Sequence, residues 1–136
     1  MQIQPYLFMD GRAEEAIEFY KKTLDAKVDM MMRWKDSPDP TMSIPGAENK
    51  IMHAFMHIGE TGVMISDGRN TGQPKFEGFA LSIAAKTEAE ADKLFNALLE
   101  GGKVTMPQTK TFFSPRFGML ADKFGVNWMI LVASQL

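Results

Sequence analysis

The side chains able to do chemistry are few and widely spaced in this chain. His53 and His57 are its two histidines, and there is no cysteine. On an extended strand, residues four apart share a face, so these two flank Phe55 at a separation of about 13 Å. That is too far for both to chelate one ion. Each is instead a separate candidate acid, base or hydrogen-bond donor. Ser66, His57 and Asp67 are the residue types of a nucleophilic triad, but their spacing implies no triad geometry. Asp67 ends an apolar run before Gly68, where it could cap the turn or present a carboxylate at a cavity mouth. Asp122 opens the turn Asp122-Lys123-Phe124-Gly125 and is expected to be structural. Arg33 and Arg116 could hold an anion, with a solvated surface role the plainer reading. The 12 methionines invite a soft-metal reading. However, Met30-Met31-Met32 are consecutive along a strand, and Met52, Met56, Met64, Met106, Met119 and Met129 are spread over strands of both halves. The expectation is therefore that they fill irregular apolar space.

The elements that must position these residues come in two similar runs. Gln2 to Met9 alternates weakly, as a strand does. Asp10-Gly11 then opens a helix in which Ala13, Ala16, Ile17, Tyr20 and Leu24 recur on one face. Asp25-Ala26 ends it. Lys27 to Trp34 reads as a strand, Asp36 to Lys50 as a proline-rich loop, and Ile51 to Ile58 with Val63 to Ser66 as a hairpin around Gly59 to Gly62. A polar connector follows. The order then recurs: a strand over Phe79 to Ala85, and Thr87 with Glu90 as a capping box. Ala91, Leu94, Phe95 and Leu98 make a second amphipathic helix, stopped by Gly101-Gly102. Strands are expected at Lys103 to Met106, around Phe112 to Ala121, and at Asn127 to Val132. In the last, Met129 and Leu131 should face one way, with Trp128 and Ile130 facing the other. Trp34, Phe113, Phe117 and Trp128 are expected in the core or a cavity wall.

The repeat has residue-level support. Lys27-Val28 and Lys103-Val104 lie 76 apart, whereas Gly62-Val63 and Gly125-Val126 lie 63 apart. The shortfall matches the loop Asp36 to Lys50, a candidate lid present only in the first run. The expectation is an α+β fold of two tandem βαβββ units, residues 1–67 and 77–136 of a single domain 1–136 joined by connector 68–76. They would form one curved mixed sheet with helices outside.

The chain has 136 residues with 15 basic and 17 acidic side chains. That near-balance argues against nucleic acid as a partner. No apolar run reaches the length of a membrane span, and the N-terminus lacks the pattern of a signal peptide. With no cysteine, a disulfide framework, a thiolate zinc site and a cysteine nucleophile are excluded. A cytoplasmic location is the expectation.

Paired βαβββ units resemble the vicinal oxygen chelate superfamily of glyoxalase I, extradiol dioxygenases, and bleomycin and fosfomycin resistance proteins. The closer resemblance is to its PhnB-like branch. It is carried by Pro5-Tyr6-Leu7-Phe8, Gly11, Ala13-Glu14-Glu15-Ala16 and Phe19-Tyr20, then by Met64-Ile65-Ser66-Asp67, Phe76-Glu77-Gly78-Phe79 and Gly101-Gly102-Lys103-Val104. The last stretch is Asp122-Lys123-Phe124-Gly125-Val126-Asn127-Trp128-Met129-Ile130. Phe113 stands where the branch usually has Trp. Some relatives carry a demethylubiquinone methyltransferase name, but this chain has no Gly-rich loop opening a helix after a strand.

By that resemblance, metal ligands would fall in the first and last strands of each unit. Counting places them at Pro5, Ser66, Phe79 and Met129. None is His, Asp or Glu, so no metal and no cofactor is expected. The resemblance then implies a cleft for a small apolar or aromatic ligand, lined by Pro5, Leu7, His53, His57, Ser66, Asp67, Phe79, Phe113 and Met129. The alternative is a divalent-metal isomerase, lyase or dioxygenase with relocated ligands drawn from His53, His57, Asp67 or Glu77. A homodimer is implied, with units exchanged between chains through the connector as one form of it.

Overall fold

The computed structural model describes residues 1–39, 41, 44–68 and 74–133. Its contacts divide the chain into two compact units, Met1–Pro74 and Lys75–Leu136. Residues 69–73 of the expected connector, and 40, 42 and 43 of the expected lid, lie outside the described residues.

The first unit runs β1 (Tyr6–Phe8), α1 (Ala13–Leu24), β2 (Lys27–Arg33), a short 3-10 turn (Trp34–Asp36), β3 (Ile51–Ile58) and β4 (Thr61–Ser66). The second runs β5 (Leu81–Ala85), α2 (Glu88–Leu98), β6 (Lys103–Thr109), β7 (Phe117–Ala121) and β8 (Asn127–Val132). Each is a βαβββ unit with its own four-stranded mixed sheet, ordered β1-β4-β3-β2 in the first and β5-β8-β7-β6 in the second. The first strand pairs parallel with the last, and the remaining pairs are antiparallel. Neither helix is long and apolar enough to cross a membrane.

In each unit the helix buries one face of the sheet. In β8, Trp128, Ile130 and Val132 are buried while Met129 and Leu131 are half-exposed, the division that period-two alternation predicts. Gly118 is on the buried face of β7, where a Cβ would stand 2.7 Å from the Phe95 ring of α2. In the first unit, Leu7, Ala54, Met56, Val63 and Ile65 form the core under α1 with Ala16, Ile17 and Tyr20. The edge strands β2 and β6 are exposed along most of their length, which is why Pro107 is tolerated within β6.

The cross-strand register defines the repeat more sharply than the sequence does. Met30 pairs Phe55, which pairs Met64, which pairs Tyr6. Met106 pairs Met119, which pairs Met129, which pairs Ser82. Met30 and Met106 are 76 apart but Phe55 and Met119 only 64, so the first unit holds twelve extra residues between its second and third strands. The β3–β4 turn has two residues between the paired Ile58 and Thr61, whereas five separate the paired Ala121 and Asn127. Gly62 is therefore inside β4, while Gly125 is in a turn. Counting four past each glycine made Ser66 the mate of Met129; the register makes it Met64.

Candidate functional site

The helix-free face of the first sheet carries both histidines. The register puts His53, Phe55 and His57 of β3 on the same face as Tyr6 of β1 and Met64 of β4. The Tyr6 hydroxyl and His53 Nδ1 are hydrogen-bonded at 3.0 Å, and the two rings lie 5.6 Å apart between centroids. Tyr6 also stacks on Phe8 at 4.7 Å. His57 takes Phe55 edge-on at 5.1 Å and pairs through Nδ1 with the Asp29 carboxylate. Asp29 reaches it from a bulge between Val28 and Met30, a device that redirects a side chain by inserting one residue. Gly62 makes room for this cluster: a Cβ there would sit 2.7 Å from Phe55 Cζ. What results is an aromatic and thioether surface with two separately anchored imidazoles.

Most of the other expected site residues are not on this face. Leu7 pairs with Ile65 and is buried beneath α1, so it cannot line the face that carries His53. The reason is the period of two: its neighbours Tyr6 and Phe8 take the open side. Asp67 is buried with its carboxylate fully engaged. Oδ1 accepts from the backbone N–H of Gly11 and Ala13 at 2.8 Å each, and Oδ2 from that of Ile51 at 2.8 Å. It is thus the cap of α1, a role the sequence assigned to Asp10. Asp10 instead takes a positive φ of 48°, and the Arg12 side chain at the N-cap makes no capping bond. Ser66 pairs with Phe8 and so shares the face of Met64, but it is buried there, its hydroxyl accepting from Gly68 N–H at 3.1 Å. Pro5 is half-buried, its carbonyl accepting from Met64 N–H. In the second unit, Met129 is on the open face. Phe113 packs edge-on to Phe117 at 5.1 Å, and Phe79 precedes β5 with half its surface exposed.

Asp122 has the structural role expected of it. Its Oδ1 accepts from Phe124 and Val126 N–H and its Oδ2 from the Trp128 indole at 2.9 Å, holding the turn against the core. Arg116 bonds Asp92 at 2.7 Å, fastening α2 to the segment before β7. Arg33 pairs with Glu14, and that hydrogen bond raises its pKa above the ordinary guanidinium value. Both belong to a surface cavity of about 430 Å³ beside α1, which Glu15, Glu18 and Lys50 also line. Glu15 and Glu18 are paired there with Arg12 and Lys21.

The superfamily's metal does not fit this donor set. Pro5, Ser66, Phe79 and Met129 supply one neutral hydroxyl and one thioether, and the register-based mates Met64 and Leu81 add no nitrogen or carboxylate. Among the described residues no three His, Asp or Glu side chains come together. The candidates for relocation are dispersed: His53 on Tyr6, His57 on Asp29, Asp67 on backbone, and Glu77 exposed.

Tandem βαβββ units of this order define the vicinal oxygen chelate fold. A family model described as 3-demethylubiquinone-9 3-methyltransferase matches residues 1–131, and the chain belongs to this PhnB-like family. It is 32% identical to the Escherichia coli protein YjdN over 99% of this chain and 97% of that one. Among solved structures, the Pseudomonas aeruginosa protein PA1353 is 38% identical over 98% of both chains, with a TM-score of 0.87. A Bacillus cereus PhnB protein, described as a candidate 3-demethylubiquinone-9 3-methyltransferase, is 29% identical with a TM-score of 0.81, covering 98% of this chain and 100% of that one. The fold extends to a Frankia glyoxalase/bleomycin resistance/dioxygenase domain, 15% identical with a TM-score of 0.66 over 99% of this chain and 93% of that one.

Proposed function

We propose that this PhnB-like chain binds a small apolar or aromatic molecule without a catalytic metal. The observation that supports this best is the open face of the first sheet, where Tyr6, Phe8, Phe55 and Met64 surround the Tyr6–His53 pair. Aromatic and thioether surface recognises a flat apolar body, and one hydrogen-bonded imidazole fixes its orientation. The Gly11 and Ala13 N–H groups at the start of α1 are occupied by Asp67, and that of Glu90 at the start of α2 by Thr87, so these donors are not offered to an anionic ligand. We further read the chain as a cytoplasmic homodimer. The exposed apolar side chains of the edge strands, Val28, Met31 and Val104, favour the dimer, and light scattering that finds only monomer would refute it.

Binding is tested with a panel of phenols, naphthols and quinones against protein labelled at its methionine methyl groups. A ligand of this face raises Tm and moves the Met30 and Met64 signals, while Met56, buried under α1, stays still. Neither a Tm rise nor a methyl shift at millimolar probe would sink the reading.

A further inference from the structure

The second unit carries on its open face a feature that the linear sequence conceals. Met106, Met119 and Met129 are far apart along the chain, yet they are direct cross-strand partners on three adjacent strands. Directly opposed residues share a face, with Cβ atoms about 4.5–5.5 Å apart. The same bulge that precedes Met30 in the first unit precedes Met106 here, between Val104 and Met106. Met119 and Met129 are half-buried and Met106 is 41% exposed, so the row is accessible from solvent. The next row of that face is apolar on its central strands, where Phe117 pairs with Leu131. No carboxylate or imidazole is in either row to favour a hard or borderline ion.

We propose that Met106, Met119 and Met129 form a three-thioether site for a soft monovalent cation, with Cu(I) the ion its chemistry selects. Thioether sulfur is neutral and polarisable, which suits Cu(I) and discriminates against calcium, magnesium and zinc. Three rotatable bonds in each side chain let sulfurs on neighbouring strands converge on one ion without moving the sheet. The first unit provides an internal control. Its equivalent row reads Met30, Phe55, Met64, so an aromatic ring interrupts the sulfurs. The site does not depend on the aromatic-ligand reading, which concerns the other unit and is tested with other probes.

The test uses the full chain under anaerobic, reducing conditions, with Cu(I) presented as its weak acetonitrile complex and Ag(I) as a redox-inert stand-in. The expected result is equimolar uptake of Cu(I) from acetonitrile, with Ag(I) shifting the methyl signals of Met106, Met119 and Met129 together. Met119→Leu conserves shape and should weaken binding by at least about tenfold, since removing a ligand costs no less than disturbing its support. Met129→Leu should do the same, and Met64→Leu should leave affinity unchanged. Tm measured on each variant establishes that it is folded. The proposal is overturned if the protein takes up no Cu(I) from acetonitrile. It is equally overturned if folded Met119→Leu and Met129→Leu bind as the parent does, or if Ag(I) moves the methyl signals of other methionines instead.

Discussion

In the first unit, the N–H of Ala13 finds its acceptor in Asp67, 54 residues downstream. In the second, the N–H of Glu90 finds Thr87, three residues upstream. The two helices have the same place in the same topology, so the difference lies in what their caps hold together. Asp67 joins the start of α1 and the start of β3 at the end of β4, three segments distant in sequence. The register makes Val132 the second unit's counterpart of Asp67, and an apolar side chain cannot take that role. Its junction is made by Ser114 instead, whose hydroxyl bonds the carbonyl and N–H of Val132 at 2.8 and 3.1 Å. The first unit thus concentrates its closure in one buried carboxylate, while the second distributes it.

The largest expected effect follows from that contrast. Asp67→Ala leaves three backbone donors without an acceptor, two of them in buried bonds. At about 1–3 kcal/mol for each unsatisfied buried group, the loss should be roughly 3–6 kcal/mol by urea unfolding. Hydrogen exchange should quicken at α1 and β3 before it does at α2. Asp122→Ala should cost about 2–4 kcal/mol, because it frees the Trp128 indole as well as two turn N–H groups. Near-ultraviolet circular dichroism of the indole gives a separate readout of that change. Thr87→Ala removes only a local cap and should cost about 1 kcal/mol. If Thr87→Ala proves as costly as Asp67→Ala, the distinction between concentrated and distributed closure fails.

Local signals were legible in the sequence, and long-range ones were not. Apolar spacing identified both helices, and the ends of β3 and β8 fall where alternation puts them, at Ile51–Ile58 and Asn127–Val132. Asp122 was readable because its partners are within six residues. Asp67 as the cap of α1 was not, because no spacing rule links a residue to a helix start more than fifty positions away. Aligning Gly62 with Gly125 hid the true mate of Met129, because the two glycines serve different ends. One yields space to the Phe55 ring, and the other takes a φ of 88° in a turn. The methionine row was missed for the same reason: shared faces across strands follow from register, and register depends on turn lengths.

The smallest expected effect concerns the twelve residues that the second unit lacks. Their proline-rich loop is tied by its own side chains: the Asp39 carboxylate accepts from both the hydroxyl and the backbone N–H of Thr41, at 2.6 and 2.9 Å. The hydroxyl bond is the larger cause, and together they hold the Asp39 pKa below its ordinary value. A carboxylate whose pKa is depressed by folding stabilises its fold above the unfolded value, and that contribution is lost as pH falls through the folded one. The local structure of this loop should therefore loosen on acidification below the ordinary aspartate range, with no counterpart between β6 and β7. Thr41→Val removes the hydroxyl donor and keeps the N–H, so an NMR titration should find the Asp39 pKa raised partway towards the ordinary value. Because Asp39 is exposed, global Tm should not move. A Tm that follows the Asp39 titration would mean that the insertion is built into the first unit's core and is not an appendage to it.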